Sequence, residues 1–222
     1  MAYAVLLMIG GTLFINGLAV LGYVRSNGAA IYNIFTGVLG TATPFYLLMQ
    51  VQGSDTTAYD TVLAVAPMWL FSLTFLWVGI NSLTDHTPTG VGWYCLWVVF
   101  AAVGFAFVNF VRFGAVTEGI IWLNWALLWG LFWLLLAQGK AQLATFTGWV
   151  AVIMSFWTVS LQAFLNLVGG WKSIPSGAFV AATVGTIVLA LLLRRVRASE
   201  DGAEAETPAS ADAQRRPTAV SV

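Results

Sequence analysis

The residues best suited to contact a small solute are four tryptophans in one apolar stretch of helical length. The stretch, residues 117 to 138, contains Trp122, Trp125, Trp129 and Trp133. At 100° per residue, these indoles fall within about 80° of one another on a helical wheel. Tryptophans of membrane helices usually lie at the headgroup level, whereas this stripe runs through the middle of the stretch. The stripe therefore packs a protein core or lines a narrow path, and its periodicity alone favours the core.

Side chains for catalysis, metal binding or ion transport are scarce in the apolar stretches. No Asp, Glu, Lys or Arg lies inside the spans drawn from the sequence, and Glu118 lies at the mouth of the tryptophan stretch. The single histidine, His86, is in a predicted loop, and the single cysteine, Cys95, is in an apolar run where a buried hydrophobe is expected. Ion carriers need intramembrane charges, retinal proteins need a lysine, and zinc sites need several ligands. We therefore expect neither an enzyme nor an ion carrier, with no catalytic residue, metal or cofactor.

The polar side chains that remain in the apolar stretches are neutral carboxamides. Each is expected to bond to a neighbouring helix, an interaction worth about 0.6 kcal/mol in membrane proteins. On the wheel, Asn124 lies at least about 140° from Trp129 and Trp133, so it should face another helix. The set comprises Asn16, Asn33, Asn81, Asn109, Asn124, Gln162 and Asn166.

The composition indicates an all-α integral membrane protein. Of 222 residues, 59% are hydrophobic and 8% charged, whereas soluble domains carry roughly a quarter charged residues. Apolar runs of about twenty residues predict spanning helices, since barrels show alternating segments of about ten. The first run lacks a basic region and a cleavage pattern, so we interpret it as a retained helix. The predicted spans are approximately 2–23, 29–51, 61–82, 91–111, 117–138, 146–168 and 175–193.

The C-terminal part of the chain has a different composition. From Ala198 it is rich in Ala, Glu, Ser, Asp, Pro and Arg without periodicity, which predicts a disordered tail. We therefore divide the chain into a six-helix bundle at 1–168, an additional C-terminal transmembrane helix with a basic stop at 169–197, and a cytoplasmic tail at 198–222.

Lysine and arginine positions predict the orientation in the cytoplasmic membrane. With seven spans and the N-terminus outside, the outer loops hold only Arg112 and Lys172. Short cytoplasmic loops carry the excess of basic residues, so the N-terminus should be outside and the C-terminus in the cytoplasm. The basic residues that would then lie inside are Arg25, Lys140, Arg194, Arg195 and Arg197.

Short motifs in the predicted spans form a specific set when taken together. They are Leu6-Leu7, Gly10, Leu13 and Asn16-Gly17 in the first span, LTFLWVGIN at 73–81 in the third, Trp93-Tyr94 in the fourth, Thr117-Glu118-Gly119 with Trp122, Leu127, Trp129-Gly130 and Trp133 in the fifth, and FTGWVA at 146–151 in the sixth. This set resembles the AmiS/UreI family of amide and urea channels over about residues 1 to 168.

The resemblance implies a bundle of six membrane helices that assembles into hexameric rings, with one pore in each protomer. It implies passive passage of urea or short-chain amides through constrictions of aliphatic and aromatic side chains, and a functional link to a cytoplasmic amidase or urease. Trp125, one residue away from the family's position, is expected to pack. The pore-lining residues implied are Leu6, Leu13, Leu73, Trp77, Trp122, Trp129 and Trp133.

Three features depart from the family pattern. Met154 stands where members similar to the urea channel carry a glutamate, and acid-gated members use external histidines, whereas His86 lies in a predicted inner loop. We therefore predict no acid gate. The seventh span lies beyond the six-helix pattern. The sequence leaves two alternatives open: a channel for another small neutral solute, such as ammonia or water, or a non-conducting sensor or scaffold whose tail docks a partner. No nucleic-acid partner is expected.

Overall fold

The computed structural model describes residues 2–51, 53, 56–84, 86–171 and 174–213, with side chains described as far as Ser199. Within these ranges the secondary structure is helical and contains no strand, which confirms the predicted all-α class. The helices are α1 (Ala2–Val20), α2 (Ser26–Leu48), α3 (Thr56–Val65), α4 (Met68–Leu83), α5 (Thr89–Val111), α6 (Val116–Leu136), α7 (Ala144–Met154), α8 (Leu161–Leu167) and α9 (Ser176–Ala213).

Six segments of the described chain are long and apolar enough to cross a membrane, so the protein is a multi-pass membrane protein. The predicted second span, α2, has 23 residues but is not among the six, because Gly, Thr, Ser and Asn lower its hydropathy. It nevertheless packs against α1 and α4. Seven crossings therefore stay a prediction. The six segments are Ala2–Val20, Thr56–Leu83, Thr89–Val111, Val116–Leu136, Ala141–Leu167 and Ser176–Ser199.

Two of the predicted spans are interrupted in the structure. The third divides into α3 and α4 around Ala66 and Pro67, and proline has no N–H for a helical hydrogen bond. The sixth contains a π-helical segment, Ser155–Ser160, between α7 and α8. There the hydroxyl of Ser160 donates to the carbonyl oxygen of Ser155 over 2.8 Å. Such π-helical turns often occur at functional sites.

The predicted start of the third span at residue 61 is wrong, and the helix includes a charged residue, Asp60. Helix α3 begins at Thr56, several residues before the predicted start, and so includes Asp60. Asp60 is paired with Arg112 at the end of α5, with 2.6 Å between Asp60 Oδ1 and Arg112 Nη2. The side chains are 38% and 44% exposed, respectively, so the carboxylate is compensated at the end of a span and is not isolated within it.

The last helix is longer than the sequence predicts. Helix α9 continues to Ala213, whereas we expected disorder from Ala198. Alanine and glutamate, which recur in this segment, are strong helix formers and can extend a helix beyond the apolar part. The rest of the predicted tail, 214–222, lies outside the described residues.

Helix α6, which carries the tryptophan stripe, is the most buried of the candidate spans. It packs chiefly against α5, while α9 packs on α6 and α7. Asn124 of α6 donates to the hydroxyl of Thr183 on α9 over 2.9 Å, which confirms that Asn124 faces a neighbouring helix. Asn16 of α1 and Asn33 of α2 form a reciprocal pair over 2.9 and 2.6 Å, as expected for interhelical carboxamides.

Candidate functional site

A large cavity opens between α1, α2, α4, α5 and α6. It has a volume of about 390 Å³ and a mostly hydrophobic wall, and we call it the apolar cavity. One face of α6 contributes Trp125, Leu128, Trp129, Phe132 and Leu136, whose helical spacing puts them on one side of the helix. The apolar cavity therefore has room for a small solute and few groups that could hydrogen-bond to it.

A smaller cavity is lined by the opposite ends of α1, α5 and α6, together with α3 and α8. Its volume is about 260 Å³, and Asn109, Glu118, Gln162 and Asn166 give it a polar wall. We call it the carboxamide cavity. Trp171, between α8 and α9, also lines it and donates from Nε1 to Glu118 Oε1 over 2.9 Å. The two cavities thus differ in chemistry as well as in size.

Four aromatic side chains in mutual contact line one or both cavities, and we call Phe71, Trp122, Trp125 and Trp129 the aromatic neck. Trp125 lines both cavities, Phe71 and Trp129 line only the apolar cavity, and Trp122 lines only the carboxamide cavity. The Phe71 ring lies 4.6 Å from Trp125, edge to face at 82°, and 4.6 Å from Trp129 at 50°. Edge-to-face contact is favoured by the ring quadrupoles. All four rings are buried.

The orientation of Trp125 is fixed by the π-helical segment. Trp125 Nε1 donates to Thr158 Oγ1 over 3.2 Å, and the Thr158 hydroxyl donates to the carbonyl oxygen of Met154 over 2.7 Å. The Met154 side chain is fully buried beside this chain of bonds. A buried indole with a satisfied N–H presents its ring, and not a polar atom, to the neck.

The structure brings only some of the predicted site residues to these cavities. Leu13 and Trp129 line the apolar cavity, and Trp122 lines the carboxamide cavity. The other four line neither cavity, and their role in a pore stays a prediction. They are Leu6 and Trp133, both partly buried, and Leu73 and Trp77, both exposed.

The predicted site residues did not include Phe71 or Trp125, which both line the apolar cavity. Trp125 was expected to pack, and it is buried, but it also lines both cavities. A signal for Phe71 was available, because Phe71, Phe75, Val78 and Ser82 recur at helical spacing on the cavity side of α4. Without the ring contacts of Phe71 to the tryptophans of α6, nothing distinguished that face from the exposed face that carries Trp77.

The ionisable side chains that line the cavities, among them His86 and Glu118, do not belong to the aromatic neck. His86 lines the apolar cavity beside Pro88, and its Nδ1 is 2.7 Å from Thr84 Oγ1. Glu118 lines the carboxamide cavity. In the described part of the chain, no three His, Cys, Asp or Glu side chains are grouped as metal ligands would be.

Comparisons with known proteins agree on one family. The family model described as AmiS/UreI family transporter matches residues 1–170. The chain is 39% identical to AmiS2 of Rhodococcus erythropolis, named as a transporter protein, over 89% of this chain and 93% of that protein. It is 38% identical to a protein of Mycolicibacterium smegmatis named for transport of amidate substrates, over 86% and 88% of the two chains. It is 27% identical to the acid-activated urea channel of Helicobacter pylori, over 75% and 97%.

The fold is also similar to solved structures. The cryo-EM structure of the Helicobacter pylori urea channel in a closed state matches with a TM-score of 0.68 and 26% identity, over 77% of this chain and all of that one. The crystal structure of the same bacterium's urea channel matches with a TM-score of 0.66 at 26% identity, over 77% and 99% of the chains. Helix α9 begins after residue 170, so it lies beyond the family match.

Proposed function

The chain belongs to the AmiS/UreI family of transporters, and from this premise we propose that it is a passive channel for short aliphatic amides and urea in the cell membrane. One observation carries the proposal: an aromatic neck of uncharged side chains is shared between the walls of a hydrophobic cavity and a carboxamide-lined one. A transporter family is not an enzyme family, and the neck contains no group that could act as a nucleophile or a base.

The physical properties of the neck suit flat, neutral solutes. Urea and acetamide are planar, so their faces can lie against indole and phenyl rings while their N–H groups form weak contacts with the π systems. These contacts recover only part of the hydrogen bonding to water that a solute loses on leaving a cavity. A cation would lose far more solvation energy in the same place and meet no compensating charge. The neck therefore selects for neutral solutes without a charged residue.

The apolar cavity supports a preference for aliphatic amides over urea. Phe75, Val91 and Leu128 form part of its wall, and these side chains give an alkyl group a favourable surface. Urea has a second NH₂ group in the place of that alkyl group. Against this hydrophobic wall, the second NH₂ group would have no hydrogen-bond acceptor. The higher identity to relatives named for AmiS and amidate transport than to the urea channel supports the same preference.

We extend the proposal to gating and orientation. Unlike the acid-activated relative from Helicobacter pylori, this channel should stay open at neutral pH, because His86 is its single histidine and residue 154 is methionine. With the N-terminus outside and seven crossings, the carboxamide cavity faces the exterior and the apolar cavity the cytoplasm. A homo-hexamer and a link to a cytoplasmic amidase or urease are part of the same proposal, supported by the family resemblance.

Solute flux in proteoliposomes tests this function. Stopped-flow light scattering should show protein-dependent permeability to acetamide and urea, with acetamide the faster, while water permeability stays near that of protein-free vesicles. Fast water or ammonia flux with no amide flux would favour a channel for another neutral solute. A bundle that passes none of these solutes would be a sensor or scaffold, and the proposal would be wrong.

A further inference from the structure

An unpaired carboxamide oxygen belongs to a residue in the wall of the carboxamide cavity. The Oε1 atom of Gln162, on α8, is buried and has no hydrogen-bond partner within the described residues. Leaving a buried amide group unpaired is unfavourable, so such groups are normally satisfied by protein, water or a ligand. The oxygen itself is enclosed, but the Gln162 residue lines a cavity beside the aromatic neck, so a turn of its side-chain amide toward the cavity lets a solute there supply the missing partner.

The protein already contains the hydrogen-bond geometry that Gln162 could make with such a solute. Asn16 and Asn33 face each other, and each NH₂ donates to the oxygen of the other over 2.9 and 2.6 Å. A primary carboxamide carries one donor and one acceptor side by side, so two of them form this ring of two hydrogen bonds. The pairing does not depend on which end of the glutamine amide is assigned as oxygen.

The neighbouring polar groups offer acceptors for a second N–H of the solute. The NH₂ group of Asn109 donates to the carbonyl oxygen of Phe105 over 2.8 Å, and that of Asn166 donates to the carbonyl oxygen of Gln162 over 2.8 Å. These bonds engage the NH₂ groups and leave the side-chain oxygens for other donors. Both asparagines line the carboxamide cavity.

We propose that Gln162 forms a recognition site for an unsubstituted carboxamide group, CONH₂, which it pairs with reciprocally before the solute enters the aromatic neck. This inference rests on the proposed channel function and names the group that the channel recognises. Primary amides and urea carry an N–H cis to the carbonyl oxygen and fit the site. Amides without an N–H can accept a hydrogen bond there but cannot donate one, so they make half of the pair.

Three isomers of C₃H₇NO provide a test at constant mass: propionamide with two N–H groups, N-methylacetamide with one, and N,N-dimethylformamide with none. Their concentration-dependent flux is measured in proteoliposomes and corrected for protein-free vesicles. The variant is Gln162→Met, which keeps the side-chain length and removes the amide. The control is Gln142→Met, at an exposed position that lines neither cavity.

In the parent, propionamide should have a lower half-saturation concentration than N,N-dimethylformamide. Gln162→Met should raise the half-saturation concentration for propionamide about tenfold, equivalent to about 1.4 kcal/mol. The half-saturation concentration for N,N-dimethylformamide should stay unchanged. Gln142→Met should behave as the parent. Size-exclusion chromatography in detergent verifies that each variant assembles.

Two results would overturn the inference while leaving the channel function intact. One is a Gln162→Met variant whose half-saturation concentration for propionamide stays at the parent's value. The other is a fall in flux by the same factor for all three isomers, which a structural role of Gln162 would produce. A parent that conducts no amide at all would instead refute the proposed function, and the recognition site with it.

Discussion

Replacing Phe71 by alanine removes the ring that lies between Trp125 and Trp129 in the aromatic neck. Both of these centroid distances are 4.6 Å, and the change deletes them together with longer ring contacts to Phe75 and Trp122. Each of the two close contacts is worth about 0.5–1.5 kcal/mol beyond simple burial. The space left behind adjoins the apolar cavity, which Phe71 lines. We therefore expect a less stable protein with a wider neck.

The wider neck should change which solutes pass. A solute in the parent neck loses most of its hydrogen bonds to water, and a net hydrogen bond is worth about 1 kcal/mol. Room for one accompanying water would restore about one such bond and raise flux roughly fivefold to tenfold. The gain should be larger for butyramide than for acetamide, because the bulkier solute is the more restricted. Stopped-flow measurements on both amides give the ratio of butyramide flux to acetamide flux in the variant and in the parent.

The control for this experiment is Phe100→Ala on α5. Phe100 is 70% exposed and lines neither cavity, so its removal should leave both fluxes at the parent's values. If Phe71→Ala conducted both amides with the parent's rates and ratio, the ring would not form part of the path, and the position of the neck would be wrong.

Three further predictions follow from other residues. Trp129→Ala should change acetamide flux more than Trp133→Ala, because only Trp129 lines a cavity; equal flux in both variants and the parent would refute the assignment of the stripe. Thr183→Val should lower the melting temperature in detergent without changing the ranking of solutes, since it removes the bond to Asn124, a loss of about 0.6 kcal/mol; an unchanged melting temperature would show that this bond does not hold α9. Acetamide uptake should change less than twofold between pH 7 and pH 5, and a severalfold rise at pH 5 would establish an acid gate.

The sequence was sufficient for the class of fold and for the family, because both depend on local composition and on motifs of adjacent residues. Apolar runs of spanning length predict membrane helices wherever they occur. The same reasoning placed the start of the third span at residue 61, since Asp60 looked like a loop residue. The pairing of Asp60 with Arg112 on another helix, which the linear pattern does not contain, permits α3 to begin earlier.

The site was harder to predict, because a helical wheel shows which residues share a face but not what that face meets. The stripe on α6 was recognised, yet its cavity side is centred near Trp125, with Leu128 and Phe132, so that Trp133 falls outside. Phe71 comes from a different helix and enters the neck through tertiary packing. The unpaired state of Gln162 is likewise invisible in the sequence, where it resembles the other carboxamides.

The central claim is that an uncharged aromatic neck passes neutral amides and excludes ions of the same shape. Acetamide and the acetamidinium cation test it directly, since they share a planar three-heavy-atom group around carbon and differ in charge. In parent proteoliposomes with the membrane potential clamped to zero, acetamide should enter well above the rate of protein-free vesicles, and acetamidinium should enter at that background rate. Protein-dependent entry of acetamidinium at a rate comparable to acetamide would contradict the account.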